Sequence, residues 1–357
     1  MRTVKGRRAG KLAGILMGVA LVAGAAQAQQ DVGTEPPASI LIFPKVIRDD
    51  TVIQITNTTN SLTHAKCFYV NGDTFLGEPL WQVTDFEIML TRQQPTHWVA
   101  SQGRAVSPIG APLGIDPGLV PPVPVGFEGF LVCVEVAMDG TPISGNSLIG
   151  VATVGGVDST SSSIGKYNAV GIAGCGNAQG PCGDSGSANN GDNVLDLDGV
   201  EYARCPGGLY VNFESEGGVD PALGAGSEVS TNVALVPCGM DFDNIVPGST
   251  VLSAEIRDEF EIRTSVSSIP VDCYFAQPLS APVFGGQFSL PTTFGSAIIR
   301  PQTGSGNVPA VGVANVLRTA SDLSSDSAIT NLHFCTDTTA PASCTGVDSQ
   351  IRLPDFE

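Results

Sequence analysis

Apolar and polar residues alternate along much of this chain in short runs, the period-two pattern of strands that bury one face. Short β segments occupy residues 39–43, 51–56, 65–70, 86–90, 129–136 and 147–154, several of them alternating in this way, with another at 208–213. Their separators, at 57–61 (NTTNS), 71–73 (NGD) and 139–140 (DG), carry turn chemistry, because Asn, Asp and Gly tolerate positive φ. No window of a dozen residues carries a helical stripe. The nearest, residues 258–263, is short and reads equally well as a strand. The pattern predicts an all-β protein.

Composition shifts divide the chain into a leader at 1–28, a polar lead-in linker at 29–37, a β unit at 38–156, a loop-rich connecting segment at 157–230 and a second β unit at 231–357. Residues 105–125, rich in Pro and Gly and nearly without charge, form a long loop inside the first unit rather than a boundary. A faint internal repeat supports two units. Cys67-Phe-Tyr, a Phe86 strand and Cys133 follow one another in the first; Cys273-Tyr-Phe, a Phe288 strand and Cys335 do so in the second.

The order of strands over 38–155, with the runs 51–58, 126–133 and 148–152, resembles the immunoglobulin-like β-sandwiches of secreted and surface proteins. That resemblance implies two tandem immunoglobulin-like sandwiches and a Cys67 to Cys133 bridge with Trp81 between them in the chain. Leu131, not Tyr, stands two residues before Cys133, and the second unit has no Trp. The antibody-type family is therefore not implied.

Charge and cysteine usage place the protein outside the cytosol. Five basic residues precede an apolar run over 12–26, which Ala26-Gln27-Ala28 closes with a small-x-small pattern, so the start reads as a cleavable secretory leader. At about 15 residues the run is shorter than the roughly 20 needed to cross a bilayer, and no transmembrane segment is expected in the mature chain. Without the leader, 12 basic residues face 35 acidic ones, a net charge of −23. Such a charge opposes contact with nucleic acid or anionic lipid. Only 15% of residues are charged while 42% are apolar, which predicts a folded chain. All nine cysteines follow the leader, where disulfides are permitted. Cys175 with Cys182 suggests a local pair and Cys205 with Cys238 a second, while Cys335 can reach Cys273 or Cys344; at least one of the nine stays free or pairs between chains.

Candidate chemistry is sparse. Asp192, Asp196 and Asp198, in an Asn/Gly/Asp-rich loop, offer clustered oxygen ligands for calcium, although their spacing is not that of an EF-hand. Residues 182–187 (CGDSGS) look like the nucleophile segment of chymotrypsin-type proteases with His64 upstream. The match fails because His64 is three residues from its cysteine and Ser187 stands where a glycine belongs. His64, His97 and His333 have no zinc-ligand spacing. Trp81, Trp98, Phe75 and Tyr69 could form an aromatic platform for a sugar or could pack a core. These features lead to a non-enzymatic secreted or cell-surface protein that binds, adheres or assembles, with an extracellular protein or glycan as partner. A carbohydrate- or calcium-dependent binding module is the first alternative, a hydrolase of unrecognised type the second.

Overall fold

The structure, a computed structural model, describes residues 32–33, 36–48, 51–76, 78–107, 109–110, 113–155, 164–176, 189–220, 223–302, 307–320, 325–334 and 346–355. The leader and its cleavage site, Cys182, Ser185, Cys335 and Cys344 lie outside these residues.

The protein is all-β. Its first strands are β1 (Val32–Gly33), β2 (Ile40–Ile47), β3 (Thr51–Asn57), β4 (Thr63–Asn71), β5 (Thr74–Phe75) and β6 (Glu78–Pro79). They are followed by β7 (Gln82–Leu90), β8 (Pro95–Val99), β9 (Glu128–Val136), β10 (Leu148–Gly155), β11 (Ile164–Asn168), β12 (Val170–Ile172) and β13 (Val194–Leu197). Next come β14 (Leu209–Glu214), β15 (Glu228–Pro237), β16 (Met240–Asp241), β17 (Ser249–Asp258), β18 (Arg263–Asp272) and β19 (Phe275–Pro278). The last are β20 (Phe294–Pro301), β21 (Ala310–Thr319), β22 (Ser325–Asn331), β23 (His333–Phe334) and β24 (Ser349–Arg352). Residues 258–263 span the end of β17, a turn at 259–262 and the start of β18, closed by the Asp258 carboxylate accepting from the Phe260 and Ile262 N–H groups at 2.8 and 2.9 Å.

A six-stranded sheet in the order β1-β12-β2-β9-β4-β7 faces a four-stranded sheet, β11-β10-β3-β8. Trp98 of β8 donates to the Tyr69 hydroxyl of β4 across the gap between them. A five-stranded sheet, β18-β17-β20-β14-β23, faces a four-stranded one, β19-β15-β21-β22. The second pair repeats the first: β14, β15, β17 and β18 take the places of β2, β3, β4 and β7, and β19 to β23 those of β8 to β12. The alternating strands of β3 and β10, buried on every second residue, show why a period-two sequence settles here.

Residues 157–230 contribute β11 and β12 to the first pair of sheets and β14 to the second. β13 joins β24 and β16 in a three-stranded sheet, so among the described residues there are five sheets of three or more strands. Their arrangement is propeller-like rather than that of two tandem immunoglobulin-like sandwiches. Unlike propeller blades, each sheet gathers strands from distant parts of the chain. Two observations correct the immunoglobulin expectation. The Cys67–Cys133 disulfide joins directly opposed residues of adjacent strands β4 and β9 within one sheet, Cα atoms 4.0 Å apart, rather than tying two sheets together. The cores are also shared: Val233 and Leu235 of β15 enter the second core, while Ala234 and Val236 of the same strand enter the first.

The units meet through aromatic contacts. Tyr274 stacks on Phe130 of β9 with ring centroids 6.4 Å apart, and Phe242 stacks on Phe68 at 4.3 Å and on Trp81 at 5.6 Å. Gly72 makes room for this joint, since a Cβ there would fall 2.3 Å from the Tyr274 Cβ. Cys205 and Cys238 form a second disulfide, and Cys175 is disulfide-bonded. Cys273, expected as a pairing candidate, is instead a free, buried thiol. It sits in the bend between β18 and β19 at φ 66°, its sulfur 4.0 Å from the Asn71 carbonyl of the first unit. Nor is Phe288 in a strand; it lies in a turn and buries its ring against Phe284 and Phe213. The repeat is one of strand order, and the cysteine-aromatic pairs are not its equivalent points.

Because the Cys67–Cys133 bridge closes a loop with a sequence separation of 66, replacing both cysteines by alanine is expected to cost about 2–5 kcal/mol in denaturant unfolding. An unchanged midpoint would show that the paired strands need no covalent brace.

Candidate functional site

β14 places a cleft at one edge of the second unit. Leu209, Val211 and Phe213 point into the second core, so by strand alternation Tyr210, Asn212 and Glu214 line the opposite face. The pairing with β20 sets Glu214 opposite Phe294 and Asn212 opposite Ser296. β23 pairs only with Leu209 and Tyr210, and past that point Val316 and Arg318 of β21 form the floor. These residues, with Asp258 and Glu259, enclose about 550 Å³.

The electrostatics are built around Arg318. Its guanidinium donates to Glu214 Oε1, and its Nε lies 2.9 Å from Asp220 Oδ2. The Glu214 side chain is only 9% exposed, yet its Oε2 is a buried acceptor with no hydrogen-bond partner among the described residues. Glu259 Oε2 accepts from the Thr293 N–H at 3.1 Å and the Phe294 N–H at 3.4 Å, which holds the strand start that presents the Phe294 ring. Glu216 is spent on structure, accepting from the Ser230 hydroxyl and the Thr231 N–H. Phe294 stands exposed at the cleft, and Phe260 and Ile262 stand exposed in the neighbouring β17–β18 turn, Phe260 by 77%.

The residues singled out from sequence lie elsewhere. Trp81, Trp98 and Tyr69 are buried, so they make no sugar platform; Phe75 alone of that group is exposed, on the β5–β6 ribbon. Asp192 and Asp198 accept backbone N–H groups of their own turns, and Asp196 Oδ1 accepts from Gln350 Nε2 at 2.6 Å. Among the described residues no group of three or more His, Cys, Asp or Glu could hold a metal ion. His64 sits between the Glu87 carboxylate and the Ala137 carbonyl, both at 3.2 Å, and His97 is exposed on β8. His333 belongs to β23, beside Tyr210. Glu214, Phe294 and Arg318 went unnoticed in the sequence. The outward parity of Tyr210, Asn212 and Glu214 in the run 208–213 and just beyond it was the available signal.

No family model matches the chain, and no curated relative matches it. Among solved structures it is similar to the Pleurotus ostreatus lectin in its apo form, at 14% identity, with 87% of this chain and 88% of that one covered. The TM-score of 0.19 leaves that similarity without weight for fold or function.

Beside the acidic loop, burial pushes Glu201 up to about 7, helped by the neighbouring carboxylates of Asp196 and Asp192 and opposed by hydrogen bonds that include the Asn189 amide. Burial likewise lifts Glu135 to about 6, against the hydrogen bonds from Ser147. An acid whose folded pKa is raised above its unfolded value near 4.5 costs nothing while both states are protonated. Its cost grows as pH rises through the folded pKa and is complete above it. Thermal midpoints are therefore expected to fall between pH 5 and pH 8, and Glu201→Gln or Glu135→Gln to raise the midpoint at pH 8 more than at pH 5. Equal effects at the two pH values would contradict the assignment.

Proposed function

We propose that the chain is an exported, non-enzymatic binding protein that takes its ligand in the cleft formed by β14, β20 and β21. The carrying observation is the Glu214 carboxylate: buried, fixed through one oxygen by Arg318, with the other oxygen unpartnered and an exposed Phe294 ring paired beside it. A buried acceptor left without a donor has a desolvation cost that a ligand donor would remove. Apolar walls with a few convergent polar groups are the usual composition of a ligand site. Export is supported by the disulfides Cys67–Cys133 and Cys205–Cys238, which persist in oxidising compartments. No described helix is long and apolar enough to cross a membrane. The rigid double-sheet units act as a frame that holds the cleft, and the partner is an extracellular protein or glycan.

Two measurements test this reading. Fractionation of the source cells with an antibody is expected to recover the protein outside the cytosol; a cytosolic chain with its first 28 residues intact would contradict export. Fluorescently labelled full-length mature protein is expected to bind the envelope fraction of those cells, and the double variant Asn212→Ala, Phe294→Ala to lose about tenfold or more of that binding. Equal binding by the variant would remove the cleft from the account.

A further inference from the structure

The balance of charge in the cleft says what kind of ligand it suits. Asp258 and Glu259 each commit one carboxylate oxygen to backbone N–H groups, while Glu214 Oε2 is the buried acceptor with no partner among the described residues. Against it stand the donors of Asn212 and Ser296, paired across β14 and β20, and the Arg318 cation at the floor. A compact cation seeking Glu214 would also meet Arg318. An anion seeking Arg318 would meet Glu214, Asp258 and Glu259 within a chain of net charge −18. A neutral molecule with many hydroxyls meets neither penalty, because each O–H both donates and accepts.

The walls select further. Phe294 is 46% exposed, directly across the strand pair from Glu214, and offers a flat apolar face beside a hydrogen-bonding edge. Sugar rings have that complement, C–H groups on their faces and hydroxyls around their rims. A volume near 550 Å³ lies within the ordinary range of about 300–1,000 Å³ for small-ligand sites.

Resting on the reading of the cleft as the binding site, we infer that its ligand is a neutral oligosaccharide, one ring lying on Phe294 with a hydroxyl donating to Glu214 Oε2 and others engaging Asn212 and Ser296.

The test uses the full mature chain and saturation-transfer NMR with cellotetraose, maltotetraose and chitotetraose, and with pentalysine as the cationic comparison. At least one neutral oligosaccharide is expected to bind. Phe294→Ala and Asn212→Ala, both at exposed positions that should leave folding intact, are expected to weaken it about tenfold or more. Glu214→Gln should weaken it less than Glu214→Ala, and Leu76→Ser on the distant β5–β6 ribbon should leave it unchanged. Pentalysine binding that depends on Phe294, with no oligosaccharide bound, would overturn the saccharide class and leave the cleft reading standing. Oligosaccharide binding indifferent to Phe294 and Asn212 would overturn this assignment, as would the failure of every probe while envelope binding still depends on the cleft. Loss of that cleft dependence would instead overturn the underlying reading.

Discussion

A strand buried on both faces has no water to satisfy it, so its side chains must be apolar nearly throughout and its backbone must be paired on both edges. β2, β4 and β9 meet that condition. They are buried along almost their whole length, and β9 is hydrogen-bonded between β2 and β4. One face of their sheet packs toward β8 and β10; the other receives Phe242 and Tyr274 from the later part of the chain. The same demand falls on β15 and β21 where Ala234, Val236, Val311 and Val313 enter the first core. Asn57 and Glu135, polar groups caught inside, are satisfied locally: Asn57 donates to the Ser61 and Thr91 carbonyls, and Glu135 accepts from Ser147. The two units are therefore joined by core packing rather than by a tether.

The position of the cleft follows from this joint. In the first unit both faces of β2, β9 and β4 are covered, whereas their counterparts in the second unit, β14, β20 and β17, largely alternate buried and accessible residues and meet water. A face that meets water tolerates Tyr210 and Asn212, with Glu214 buried at its end. There the sheet can hold a charged, half-buried pair such as Glu214 and Arg318, with neighbouring acids to orient it.

Local pattern made much of the fold legible. The runs at 129–136 and 51–56 read as strands from their apolar pattern and the turn residues around them, and both are strands here. Partner choice was not legible, since it depends on register between distant segments. Residues 208–213 are visible as a strand in a connecting segment, but nothing local says that β14 will pair with β20 or that Glu214 will face Phe294. Cysteine spacing misled for the same reason. Cys67 and Cys273 share an aromatic context, yet one lies on a paired inner strand and the other in a positive-φ bend at the junction. The tryptophans looked available for binding because sequence does not reveal that Trp98 bonds to Tyr69 and Trp81 stacks on Phe242.

The shared core gives the account its most direct test, because both tryptophans, Trp81 and Trp98, lie in the first unit while strands are spread over both. Equilibrium unfolding in guanidinium chloride, followed by tryptophan fluorescence and by far-ultraviolet circular dichroism, reports the first unit and the whole chain respectively. One coincident transition is predicted. A fluorescence transition well separated from the main circular-dichroism transition would show two independently folding units and contradict the fused core on which the cleft depends.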